Sequence, residues 1–186
     1  MEKDVIKKKI LEDVDPGLRR KKIRKKRKDR ILVTLEFLGL IAVIMLLFNL
    51  LIGISTVQGN SMYPTLHDGD RVLYYRRYSD YKIGDIVALD RPDGEEFVKR
   101  VVAVAGDTVN IQNGKLYVNG EEQKMDGPVG RTEASAKGTV AYPLTVGEEQ
   151  VFVLGDNREV SSDSRMFGPV KVRDLKGRIA WYIGSL

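Results

Sequence analysis

Residues 109–118 read VNIQNGKLYV, and this stretch decides the fold class. Apolar and polar positions alternate on both sides of Asn113-Gly114, a dipeptide suited to the left-handed backbone of a two-residue type I′ turn. Val109 to Val118 is therefore expected to be a β-hairpin, with a second turn at Asn119-Gly120. Outward from it, short apolar or alternating runs recur: Arg71 to Tyr75, Asp85 to Leu89, Glu96 to Val104, Gln150 to Leu154 and Ile179 to Ile183. Asp68-Gly69 and Pro92-Asp93-Gly94 punctuate them as turns. Many short strands with Gly and Asn turns predict a mainly β domain of antiparallel sheets, of sandwich or open-barrel type. Glu121 to Lys137 is polar and rich in Gly, Ala and Ser, and is expected to be a surface loop.

Before residue 56 the pattern changes. Residues 37–54 read FLGLIAVIMLLFNLLIGI, without a charge and with Asn49 as the one strongly polar residue. As a helix this run rises about 27 Å, close to the roughly 30 Å of a bilayer's hydrocarbon core. No polar face breaks the run, which disfavours a helix packed against a soluble core, and a cleavable signal peptide would carry a shorter charged leader. The expected organisation is a basic tail over 1–30, one transmembrane anchor over 31–55 and a β domain over 56–186. The net charge of +5 is unevenly placed: residues 1–30 hold 14 Lys/Arg against 6 Asp/Glu, and the rest 17 against 20. A basic N-terminal flank keeps the tail cytoplasmic and sends the body outside the cell membrane. Nucleic acid is the obvious partner for Arg19 to Arg30, but beside a membrane span the run suits anionic lipid headgroups, and no nucleic-acid partner is expected. Cysteine is absent, which excludes disulfides, thiolate nucleophiles and Cys-based metal sites. The single histidine is His67, which a Ser-His-Asp protease would have to use.

Three motifs can carry chemistry, and each has a bland alternative. In Gln58-Gly59-Asn60-Ser61-Met62-Tyr63-Pro64, a serine sits in a turn that can present its hydroxyl and backbone N–H to a carbonyl; alone it is better read as a plain turn. In Phe97-Val98-Lys99-Arg100-Val101, strand alternation puts Lys99 on one face with Phe97 and Val101. A lysine in apolar surroundings has a lowered pKa and can act as a base, unless it snorkels from an edge strand. Residues 155–169, GDNREVSSDSRMFGP, follow the apolar run Val151 to Leu154 and can reach over a site or form a solvated turn.

In this order the motifs resemble the bacterial type I signal peptidases, or leader peptidases. The resemblance runs from about residue 37 to 186 and rests on Ser-Met-x-Pro-Thr-Leu, Gly84-Asp85-Ile86-Val87, the Phe-Val-Lys-Arg strand with Gly106-Asp107 after it, and Gly-Asp-Asn-Arg. It implies a signal-peptidase-type β domain and a membrane-bound serine endopeptidase that removes signal peptides from exported preproteins after a small-x-small sequence. By motif position Ser61 matches the nucleophile, Lys99 the general base and Ser161 the serine that orients the lysine. Asp163 and Arg165 match a supporting pair, and Gly155 the glycine that lets the last loop approach the lysine. Val57, Met62, Leu66, Val72, Ala88 and Val98 are expected to line the substrate pockets. No metal or cofactor is implied.

Two features depart from some members. Gly59 stands where they carry a serine that helps form the oxyanion hole, as in many Gram-positive-type members, so the hole would rest mainly on the Ser61 N–H. The segment between Lys99 and the last motif is also short. His67 is expected to be a loop residue, with no Asp partner evident. A self-cleaving repressor-type Ser-Lys protease is opposed by the anchor, and a non-catalytic tethered domain by the presence of both Ser61 and Lys99.

Overall fold

The computed structural model describes residues 3–7, 10, 16–90 and 96–184. Much of the tail before Pro16, and the turn expected at Pro92-Asp93-Gly94, lie outside the described residues. The chain divides into two compact units, Met1–Phe48 and Asn49–Leu186.

Helix α1, Pro16–Leu51, carries the basic run and the apolar run on one continuous rod. Its Arg19–Leu51 portion is long and apolar enough to cross a membrane, and none of it is buried. The helix stops earlier than the anchor boundary drawn from hydropathy. Ile52–Thr56 forms strand β1, paired with Arg71–Tyr75, β2. Apolar content alone does not separate a helix end from a strand start, but the β-branched alternation of Ile52 and Ile54 does. Gly53 lets the strands close up, since a Cβ there would strike the Tyr74 ring.

The second unit holds β3 (Ile86–Asp90), β4 (Glu96–Val104), β5 (Thr108–Gln112), β6 (Lys115–Val118), β7 (Glu121–Glu122), β8 (Leu144–Thr145), β9 (Gln150–Leu154), β10 (Val170–Lys171) and β11 (Leu175–Ile183). Among the described residues these form a seven-stranded antiparallel sheet, ordered β1-β2-β11-β3-β4-β9-β10, and a four-stranded one, β7-β6-β5-β8. The 109–118 hairpin pairs Val109 with Val118 and Gln112 with Lys115. Asn113 and Gly114 both adopt positive φ, 53° and 78°, as a type I′ turn requires. Strand β11 starts four residues before its expected start at Ile179, because Gly177 inside it reads as a turn. That glycine sits where a Cβ would meet the Tyr75 backbone.

Val102, Ala103, Val109, Leu116, Val118, Val146, Phe152 and Leu154 form one apolar cluster drawing on both sheets. A second cluster gathers Val57, Met62, Leu66, Val72 and Val98 beneath the serine turn. The 121–137 stretch is not simply a solvated loop: Val129 bridges to Asn157 and Thr132 is buried. Its short polar residues conceal this packing from a compositional argument. One sheet face leaves an apolar row in solvent. Ile54 pairs with Leu73 and Leu73 with Trp181, and Trp181 is 72% and Ile183 69% exposed.

Two pairing details matter for the site. Strand β9 joins β4 only from Arg100 onward, whereas β3 pairs with Glu96 to Arg100. The Glu96–Lys99 half of β4 therefore keeps one edge without a strand partner among the described residues. The outer edge of β1 is likewise open in the sheet order.

Candidate active site

The serine turn hangs from the end of β1. Val57 and Asp70 close its base through Val57 N–H to the Asp70 carbonyl, 2.8 Å, and Gly69 N–H to the Val57 carbonyl, 2.9 Å. Met62 and Leu66 are fully buried and pin the turn to the core. Gly59 adopts φ 75° and donates its N–H to Asp68 Oδ1 at 2.7 Å. His67 belongs to the same loop. Its Nδ1 lies 3.8 Å from Asp70 Oδ2 and its ring meets Tyr63 edge-on, so it does have an acidic neighbour, one that ties down the loop. That carboxylate also accepts the His67 backbone N–H at 2.8 Å.

Lys99 enters from β4 and is only 2% exposed. Its Nζ donates to Ser61 Oγ at 2.7 Å and to the Val98 carbonyl at 3.1 Å. The Phe97 ring, two residues earlier on the same strand face, lies with its centroid 4.5 Å from Nζ. Ser61 and Lys99 line a cleft of about 470 Å³ with Val57 to Asn60, Glu96 to Val98, Asn157, Val160 and Ser162. A hydroxyl and a buried amine at this distance can exchange a proton, and the open β4 edge can receive an extended peptide.

The loop after β9 forms the back of the site. Gly155 lies so close to Ser161 and to the Ser61 carbonyl that a Cβ could not be added. Asn157 N–H donates to that same carbonyl at 3.0 Å. Asp163 caps the short helix α2, Ser164–Phe167, and pairs in a two-pronged fashion with Arg165, at 2.8 Å and 2.9 Å. Its Oδ2 also accepts the Gly155 N–H at 3.0 Å, so the ion pair holds the glycine in place. The Ser161 Oγ is buried and has no hydrogen-bond partner; no bond joins it to Lys99.

Arg100, Asp156 and Thr65 were not foreseen. Arg100 donates to both oxygens of the fully buried Asp156, at 2.7 Å and 2.6 Å, and to the Gly84 carbonyl at 3.0 Å. Thr65 donates its hydroxyl to Asp156 Oδ2 at 2.5 Å. One carboxylate thus joins the serine turn, the lysine strand and the last loop. Arg158 is buried beside them, its pKa lowered by desolvation against the pull of Asp156. The sequence signal was that all three stand inside the quoted motifs, Thr65 in Ser-Met-x-Pro-Thr-Leu, Arg100 in Phe-Val-Lys-Arg and Asp156 in Gly-Asp-Asn-Arg, without a role assigned to them.

Of the expected pocket residues, Val57 and Val98 line the cleft. Met62, Leu66 and Val72 are buried behind these two in one cluster, and Ala88 is fully buried opposite Val98 on β3. The cleft walls that hydropathy passed over are polar or exposed: Gln58, Asn60, Asn157, Val160 and Ser162.

The family model described as signal peptidase, peptidase S26, matches residues 30–183. Signal peptidase I of Bacillus licheniformis is 42% identical over 120 residues, 59% of this chain and 63% of that protein. Signal peptidase I of Bacillus amyloliquefaciens is 38% identical over 138 residues, 68% of this chain and 73% of that one. Signal peptidase IB of Staphylococcus aureus is 35% identical over 144 residues, 68% and 74% of the two chains. The crystal structure of a signal peptidase I from Enterococcus faecalis matches 53% of this chain and 96% of its own at 33% identity, with a TM-score of 0.44. The chain belongs to the signal peptidase family, peptidase S26, a family of serine endopeptidases.

Proposed function

We propose that this chain is a membrane-anchored signal peptidase that cuts exported preproteins after a small-x-small sequence, with Ser61 as nucleophile and Lys99 as general base. The observation that carries this is the 2.7 Å contact between Lys99 Nζ and Ser61 Oγ at the end of a cleft with an open strand edge. Burial disfavours the ammonium form, so a neutral amine is available to take the Ser61 proton as Oγ attacks the scissile carbonyl. The C–N bond then breaks and Lys99 passes the proton to the leaving amine. Water, activated by the same amine, hydrolyses the ester on Ser61. The Ser61 backbone N–H is the oxyanion donor, with Gly59 in place of a side-chain donor.

The preprotein adds as a strand along Glu96 to Lys99, opposite residues 57–61. Val57 and Val98 form the pocket walls, and Met62, Leu66, Val72 and Ala88 back them. A wall backed by close-packed core cannot retreat, which suits small substrate side chains. Ser161 orients the lysine once its hydroxyl, which has no partner in the resting site, turns toward Nζ during the reaction. Gly155, Asp163 and Arg165 hold the loop that carries it. The anchor makes a single pass through the cell membrane, with the N-terminus cytoplasmic and the catalytic body outside. The Arg19–Arg30 run meets anionic headgroups.

The test uses the full chain in detergent with a preprotein. Wild type should release the signal peptide, whereas Ser61→Ala and Lys99→Ala should each lose cleavage with an unchanged melting temperature. Turnover at the wild-type rate by either variant would remove the dyad.

A further inference from the structure

A lysine that must accept a proton needs two opposed things from its surroundings. It has to be neutral before the reaction, and its ammonium form must not be so costly that it refuses the proton. Burial at 2% exposure supplies the first. The second needs something that favours positive charge without water.

Phe97 fits that need. Its ring centroid lies 4.5 Å from Lys99 Nζ, within the range in which an aromatic face attracts an ammonium. Both side chains project from the same face of β4, so the strand itself sets their separation. Glu96 lines the same cleft, with one oxygen held by Lys176 at 2.8 Å and the other buried without a hydrogen-bond partner. Arg100, on the opposite strand face, is taken up by Asp156. Asp163 is engaged by Arg165 and the Gly155 N–H, and Asp68 accepts the Gly59 N–H.

We propose that Phe97 is a positioning residue that sustains the proton affinity of Lys99, its ring face stabilising the ammonium formed as Ser61 gives up its proton. This rests on the Ser61–Lys99 reading. It assigns the ring a sign opposite to that of a plain apolar neighbour: burial disfavours the ammonium, and the ring face favours it.

The experiment is a pH–rate profile of the detergent-solubilised full chain with a preprotein, in wild type, Phe97→Leu, Phe97→Tyr and His67→Ala. Leucine keeps the site apolar but removes the ring. The acidic limb should move down by roughly 0.5–1.5 pH units in Phe97→Leu, the span of a desolvated cation–π contact. Its plateau should fall, and Phe97→Tyr should stay near wild type. Fluorinated phenylalanines incorporated at 97 keep the shape while draining the ring face. They should move the limb down in order of fluorine count, even if Phe97→Leu folds poorly. A limb that stays put or moves up in Phe97→Leu, or a flat fluorine series, overturns the proposal while the dyad stands. Loss of the limb in His67→Ala overturns both, because the histidine would then be the base.

Discussion

Ser161 carries a buried hydroxyl with no hydrogen-bond partner, which makes its substitution diagnostic. An unsatisfied buried hydroxyl costs on the order of 1–3 kcal/mol, so Ser161→Ala should leave the melting temperature unchanged or raise it. If the hydroxyl turns toward Lys99 during the reaction, kcat should nevertheless fall, by less than the roughly 10²–10⁴-fold tied to a general base itself. A rate equal to wild type would remove Ser161 from the machinery. Gly155→Ala should behave in the opposite way. Its new methyl group has to push Ser161 or the Ser61 carbonyl aside, so stability should drop by about 1–3 kcal/mol along with activity, read from a thermal melt and a cleavage assay. At this scale the Ser61–Lys99 contact was legible, because a two-residue period put Lys99 on an apolar strand face and motif order named its partner. The pocket was legible only in part. Apolar character cannot tell a cleft wall such as Val98 from a floor residue such as Met62, since both belong to one cluster.

The elements are tied together by buried ion pairs that local patterns do not reveal. Thr65, Arg100 and Asp156 lie far apart in sequence, and no periodicity links them. Hydropathy placed strand β4 and the run Val151 to Leu154 correctly, yet it is silent on which carboxylate will answer a half-hidden arginine. Asp156→Ala should cost about 3–5 kcal/mol, because it leaves the Arg100 guanidinium, itself only 12% exposed, without its carboxylate. Activity should fall with it, since Arg100 is covalently next to Lys99 and Thr65 lies in the serine turn. A double-mutant cycle with Arg100→Met checks this: the pair should be strongly non-additive, and additive losses would mean that Asp156 acts alone. Asp163→Asn should also lose stability. It weakens a paired carboxylate that both caps α2 and holds the Gly155 N–H.

For the whole molecule, the decisive question is which side of a membrane the second unit occupies. Helix α1 is fully exposed over a run that would be insoluble on any soluble protein, so a bilayer is the environment that suits it. Direction comes from charge. The Lys/Arg run precedes the apolar segment, and the residues after it carry no such excess, so the tail should stay in the cytoplasm. Protease added to intact spheroplasts should then digest the 49–186 unit and spare an N-terminal fragment that carries the tail. Replacing the lysines and arginines of residues 19–30 by glutamine should weaken this bias and yield a mixed population. Protection of the 49–186 unit in wild type would put the cleft on the cytoplasmic face, out of reach of exported chains. It would overturn the proposed substrate even if Ser61 and Lys99 still cut a peptide in detergent.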